Sequence, residues 1–332
     1  MKLTFEQIKD ITKGAARIEE IEERINFFRF TEEQENMYAE SSKDFWGKSF
    51  ATAGVRLEFI TSSKNMALEV YVSPASSRNY FNHDIYVNGE HMYTLGSDVR
   101  NGADGRHIQI RGEYDLGEGE KTVKIYFPWS AKSRLVSLEL DDGASITPVA
   151  HKLKMISFGD SITHGYDAAN PSLSYASLLA DALDAEAINK GIGGEFFCPK
   201  LAAIRDGIDP DIITVAYGTN DWSRIPPEQF ERTSEEFYTN LSRLYPNAKI
   251  FALTPVWRGD IGKKTLIGAF SNVTKQLRKI ESSLPNVTVV DCLDFIPHEA
   301  TMFSSDVVHP NFLGFSYYAD GVIEAIKKEC EI

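Results

Sequence analysis

The hydrophobic rhythm of this 332-residue chain changes near residue 150, and that change limits its fold more than any other feature. Before it, the period is two. Val55, Leu57 and Phe59 alternate with Arg56 and Glu58, and Leu68, Val70 and Val72 with Glu69 and Tyr71. Val123, Ile125 and Phe127 likewise alternate with Lys124 and Tyr126. Alternation sends one set of side chains to a buried face and the other to water, as in antiparallel sheets packed on one side. Asn88-Gly89, between two such runs, suits a type I′ turn and hence a β-hairpin. Residues 16–30 read two ways. Ile18, Ile21, Ile25 and Phe28 have helical spacing, whereas Phe27-Phe28-Arg29-Phe30 looks like strand, and strand is the reading taken. Short strands parted by Gly, Asn and Asp turns argue for an all-β sandwich or jelly roll over residues 1–148.

A turn-rich seam, Asp141-Asp142-Gly143-Ala144-Ser145 with Pro148, separates this half from residues 149–332. Beyond it, short apolar runs alternate with helical patterns. Strand-like segments fall at Met155–Phe158, Ala187–Asn189, Ile212–Tyr217, Ile250–Leu253 and Val287–Val290. Helical spacing covers Tyr175–Leu183, Phe230–Leu244, Leu266–Ile280 and Pro310–Lys328. Five strands alternating with helices imply an α/β unit, a parallel sheet covered on both faces that binds ligands beyond its carboxyl ends.

Composition narrows the partners. With 42% hydrophobic and 25% charged residues the chain is ordinarily globular, so the sequence can be read as folded throughout. The net charge of −13 divides almost evenly, −6 before residue 151 and −7 after it, with no basic run. Nucleic acid and anionic membrane surfaces would meet no attractive field. No stretch has membrane-spanning length and the first residues lack a signal-peptide core, so a cytoplasmic location is the simplest expectation. Cys198, Cys292 and Cys330 are scattered and odd in number, which implies neither a disulfide framework nor a metal knuckle. The histidines outside the motifs below share no ligand spacing; no metal and no cofactor are expected.

Four motifs sit at the carboxyl ends of the second half's strands. They are Gly159-Asp160-Ser161-Ile162, Asn189-Lys190-Gly191-Ile192-Gly193-Gly194, Gly218-Thr219-Asn220-Asp221 and Asp306-Val307-Val308-His309. In this order they resemble the SGNH/GDSL hydrolases, over residues 153–330. That resemblance implies a three-layer, flavodoxin-like domain with a five-stranded parallel sheet. It also implies Ser161 as nucleophile, His309 as base and Asp306 as its orienter, with Ser161, Gly194 and Asn220 forming the oxyanion hole. Gly194 is chosen over Gly191 and Gly193 because it closes the family's spacing from Asn189. Acyl transfer needs this set of roles: a nucleophile, a base, an orienter and oxyanion donors. The Gly-x-Ser-x-Gly elbow is absent, since Thr163 stands at its second glycine.

Each residue also has a plain reading. Ser161, Asp306 and Asn220-Asp221 are all good helix-capping or turn residues. What those readings do not explain is the gathering of five such groups at one sheet edge. Asp221 itself is read as a cap, Asp160 as a buttress of the serine turn, Cys198 as a wall residue and His164 as a pocket-edge or surface residue. Trp222 and Trp257 are candidate substrate-pocket residues, with a place in the core as the equal alternative.

An N-terminal sandwich ahead of such a domain is similar to that of bacterial carbohydrate acetylesterases. The resemblance implies a serine esterase for short-chain (acetyl) esters of a small-molecule or oligosaccharide substrate. Oligomers formed through the N-terminal half are a separate expectation. An acyltransferase using the same residues and a non-catalytic glycan-binding protein are the alternatives.

Overall fold

Alternating strands bury one face each, and in the computed structural model, which describes residues 1–331, they do so by pairing into two antiparallel sheets. One sheet contains β1 (Thr12–Lys13), β4 (Arg56–Thr61), β6 (Tyr80–Val87), β7 (Glu90–Asp98), β9 (Lys121–Tyr126) and β11 (Ile146–Pro148). Its order is β1-β4-β9-β6-β7, with β11 also on β4. The other contains β2 (Arg17–Ile21), β3 (Arg24–Phe28), β5 (Asn65–Pro74), β8 (Ile108–Asp115) and β10 (Ala131–Leu140), in the order β2-β3-β10-β5-β8. Leu57, Phe59, Leu68, Val70, Ile85, Val123 and Ile125 are fully buried in a shared core. Residues 16–30 form the hairpin β2–β3, turning on Glu22 and Glu23 at φ 52° and 59°. Asn88 (φ 52°) and Gly89 (φ 84°) turn the β6–β7 hairpin, as a type I′ turn requires.

The alternation misplaces three side chains, Tyr126 (3% exposed) and one ion pair. Arg56 and Glu58, expected in water, are 2% and 4% exposed. The Arg56 guanidinium donates to the Glu58 carboxylate at 2.9 Å, and the His151 ring and Lys124 ammonium lie 3.0 and 3.4 Å from the same group. Burial pushes Glu58 up, but the His151, Arg56 and Lys124 contacts outweigh it and leave its pKa at about 2. Nor does period-two patterning signal the short helices α1 (Phe5–Ile11), α2 (Glu32–Ser41) and α3 (Lys43–Ser49). The first announces itself only by a Thr4–Gln7 capping box.

The chain forms two compact units, and their division is not a single cut. One holds Met1–Thr31, Trp46–His151 and Asn170–Ser172, the last tied in by Asp84, which accepts hydrogen bonds from Asn170 Nδ2, Ser172 N and Ser172 Oγ. The other holds Lys152–Ala169, Leu173–Ile332 and also Glu32–Phe45.

In the second unit β12 (Leu153–Gly159), β13 (Ala185–Gly191), β14 (Ile212–Ala216), β15 (Lys249–Leu253) and β16 (Val287–Val290) form one parallel sheet. Their order, β13-β12-β14-β15-β16, is the flavodoxin-like one. Helices α4 (Ser161–His164), α5 (Tyr175–Ala182), α6 (Pro199–Ala202), α7 (Thr219–Arg224), α8 (Pro227–Leu244), α9 (Ser271–Glu281) and α10 (Phe312–Cys330) complete it. α5 packs on α10, while α8 packs on α6 and α9. The helix expected from Leu266 begins only at Ser271, because Gly268 takes a left-handed φ of 83° and Leu266 is 69% exposed, with nothing to bury. α10 starts after Asn311, whose side chain accepts from Leu313 N and Gly314 N. No helix among the described residues is long and apolar enough to cross a membrane.

Replacing Glu58 by Gln strands two cations in the sandwich and should lower its stability by about 3 kcal/mol in urea denaturation. The native Glu58 pKa lies below the ordinary carboxylate value, so the unfolded chain binds its proton first. Glu58 therefore stabilises fully above pH ~4.5, and that contribution is lost as pH falls through about 2. Glu58→Gln should flatten the acid limb of a stability–pH curve.

Candidate active site

Strand β12 ends in a buried turn that starts α4. Asp160 is the cap of that helix, accepting from Ile162 N at 3.0 Å, which leaves Ser161 as its first residue. The capping reading therefore belongs to Asp160, not Ser161. Ser161 Oγ lies 2.8 Å from His309 Nε2, across 148 residues of sequence. The other ring nitrogen of His309, Nδ1, lies 2.5 Å from Asp306 Oδ2. The loop that carries both residues is tightly tied. Asp306 Oδ1 accepts from Ser304 Oγ, Val308 N and His309 N at 2.9–3.0 Å. Between them Val307 has φ 53°, a left-handed conformation that a β-branched residue adopts only when its surroundings impose it. Its carbonyl accepts from Gly259 N at 2.8 Å.

Partial burial raises the Asp306 carboxyl, but the His309 ring and the two backbone N–H groups outweigh it and hold it well below the usual carboxylate range. It is thus ionised across the working pH range and can orient the ring and balance a proton on it. Two further groups face His309 that no motif announced. The Tyr166 ring stacks on it at 5.8 Å and 27°, and Asp167 Oδ2 lies 3.8 Å from Nδ1. Their only sequence signal is nearness to Ser161. Asp167, Asp306 and His309 also offer three potential metal-ligating atoms within 4.8 Å. A cation there would have to displace the Asp306–His309 hydrogen bond.

The loop after β13 packs against the serine turn, with Ile192 N donating to Gly159 O at 3.0 Å and Gly193 N to His164 Nδ1 at 3.2 Å. Its glycines differ in their reasons. A Cβ on Gly191 would meet the His164 backbone at 2.3 Å, and one on Gly193 the Tyr166 ring at 2.7 Å. Gly194 has a left-handed φ of 88°, and a Cβ there would meet only the Phe45 ring edge at 3.9 Å. Close packing thus explains two glycines, and backbone conformation the third. Among the described residues the N–H groups of Ser161 and Gly194 have no hydrogen-bond acceptor. Asn220 Nδ2 donates to Glu195 O at 3.1 Å, which spends one of its two hydrogens and sets the amide beside Gly194.

Three carboxyl groups are buried behind these residues. Burial pushes Asp160 up to about 6 and Asp221 up to about 7, and it drives Glu195 upward as well. Asp221 accepts from Gly218 N and Phe197 N, which gives it the capping part read from sequence.

Other placements differ from expectation. His164 is fully buried against Tyr166, not at a pocket edge or the surface, because its ring accepts the Gly193 N–H. Trp222 is also fully buried. Its Nε1 donates to Gly268 O at 2.8 Å and its ring meets Phe270 at 4.9 Å, so it is core and not a substrate contact. Trp257 is half-buried, stacked on His298 at 5.3 Å and touching Phe303. The Cys198 thiol, pushed up to about 12 by burial, is no nucleophile at neutral pH.

Solved structures share this fold. The salicylyl-acyltransferase SsfX3 from a tetracycline biosynthetic pathway aligns with a TM-score of 0.82 and 20% identity, over 96% of this chain and 94% of its own. A protein from Bacteroides ovatus described as a GDSL-like lipase aligns with 0.75 and 20%, over 100% and 98%. A family two carbohydrate esterase from Cellvibrio japonicus aligns with 0.67 and 17%, over 97% and 96%. A comparison with curated protein sequences finds no significant match. Residues 157–315, within the second unit, match the GDSL-like lipase/acylhydrolase family.

Proposed function

We propose that this protein is a serine esterase that removes short acyl groups, acetyl above all, from carbohydrates. The observation that carries the reading is the unbroken line from Asp306 through His309 to Ser161, at 2.5 and 2.8 Å. His309 Nε2 takes the Ser161 proton as Oγ attacks the ester carbonyl. The carbonyl oxygen gains charge and is met by the Ser161 and Gly194 N–H groups and the free hydrogen of the Asn220 amide. As the intermediate collapses, its C–O bond to the sugar breaks and His309 gives its proton to the departing sugar oxygen, which leaves as a hydroxyl and leaves an acyl-serine. Water, deprotonated by the same ring, releases the acid and restores Ser161.

The acyl chemistry rests on the family match. The carbohydrate substrate is supported by neighbours named as carbohydrate esterases, one of them a Clostridium thermocellum enzyme in complex with cellohexaose (TM-score 0.65, 17% identity). An even negative charge also favours a neutral substrate over an anionic one. Trp257, half-buried, stays a candidate for contact with the sugar. Transfer to an acceptor other than water is a second reading, favoured by the likeness to SsfX3 across 96% of the chain. Both readings share every step up to the acyl-enzyme.

Incubation with an organophosphonate ester should label Ser161 in folded protein; an unlabelled serine overturns the reading. Ser161→Ala should cut kcat by at least about 10⁴-fold without lowering the melting temperature, and Asp306→Asn by a comparable factor. Activity on acetylated oligosaccharides should exceed that on long-chain esters, and the reverse order would remove the substrate assignment. Product analysis with competing alcohols separates hydrolysis from transfer.

A further inference from the structure

The residue after Gly194 is joined to a helix encoded more than 150 positions earlier. Glu195 is 2% exposed, and its two carboxyl oxygens accept the hydroxyls of Tyr38 and Tyr217 at 2.6 and 2.7 Å. Its main chain faces the other way, the carbonyl accepting the Asn220 amide at 3.1 Å. One residue therefore links α2, through its side chain, to two of the three oxyanion donors, through its backbone. α2 holds the start of the same loop as well. Lys190 Nζ donates to Gln34 Oε1 at 2.8 Å and pairs with Asp206 at 2.5 Å, both partners fully buried. Farther along the segment, Phe45 is the side chain nearest the open side of Gly194.

A buried acid held by two phenols is an expensive way to fill space, since a leucine would serve without the desolvation. What it supplies is a fixed position for the peptide bearing Gly194 and for the Asn220 amide. Oxyanion donors act only when held near their productive geometry, and a displacement near 1 Å can cost about 100-fold in rate. We propose that Tyr38, acting through Glu195, is a positioning residue for the oxyanion donors, which makes the Glu32–Phe45 segment part of the catalytic apparatus. The inference rests on the proposed esterase reading, in which Gly194 and Asn220 receive the oxyanion.

Tyr38→Phe keeps the ring and removes one hydroxyl. In the full-length protein it should lower kcat about 10-fold, leave KM within about twofold and slow phosphonate labelling of Ser161 in parallel. A loss of packing alone would show in the melting temperature and not in this split. The sharper test is a double-mutant cycle with Asn220→Ala, which alone should cost about 100-fold. If Tyr38 works through that amide, Tyr38→Phe should cost less than about twofold once Asn220 is gone. Tyr38→Phe with wild-type kcat overturns the inference, and an equal loss in both backgrounds overturns its path through the Asn220 amide. If Tyr38→Phe melts early, Tyr217→Phe takes its place, because it removes the other hydroxyl from the same carboxyl. A wild type that is not labelled sinks the esterase reading and this inference together. A labelled wild type with an indifferent Tyr38→Phe sinks only the inference.

Discussion

The parallel pairing of β12 with β13 on one side and β14 on the other is the constraint from which the site follows. In the order β13-β12-β14-β15-β16 the chain leaves β12 in one direction and later resumes in the other, so the loops after these strands diverge and open a crevice at their carboxyl ends. The serine turn, the glycine loop and the Asn220 turn are the three loops so placed. Register fixes the rest, with Gly159 level with Gly191 and with Ala216. Moving one strand by a residue would turn its side chains to the opposite face and scatter the three loops.

Much of this was readable because each strand end carries small or turn-forming residues whose order is hard to obtain by chance. Periodicity served the sandwich well for the same reason: Leu57, Phe59, Val123 and Ile125 do go inward. It failed where burial is polar. Arg56 and Glu58 neutralise one another inside the protein, and no hydrophobic pattern encodes an ion pair. Helix α2 was invisible on the same ground. Its buried residues include Gln34 and Glu35, which read as surface until their partners are known. Trp222 shows the converse difficulty, because its neighbour Asn220 is a candidate site residue while its own ring points into the core against Phe270.

Polar burial recurs wherever the second unit must hold a loop still. Asp160, Asp221 and Glu195 each face backbone N–H or hydroxyl donors, and each is carried by a segment that bears a candidate site residue. An apolar core would leave such loops free to adopt several nearly equal packings. Directional bonds remove that freedom at a cost in stability, and the raised carboxyl pKa values are the visible sign of the cost.

The place of α2 in the chain also bears on how the protein is made. Tyr38 leaves the ribosome 157 residues before Glu195, an interval of about 8 to 30 seconds at ordinary synthesis rates. For that time the helix exists without the loop it will hold, while the strands Arg56–Thr61 through Ala131–Leu140 emerge and pair. The second unit is therefore complete only with a segment made long before the rest of it. It must recapture a segment released long before, so its assembly is a long-range event in time as well as in sequence.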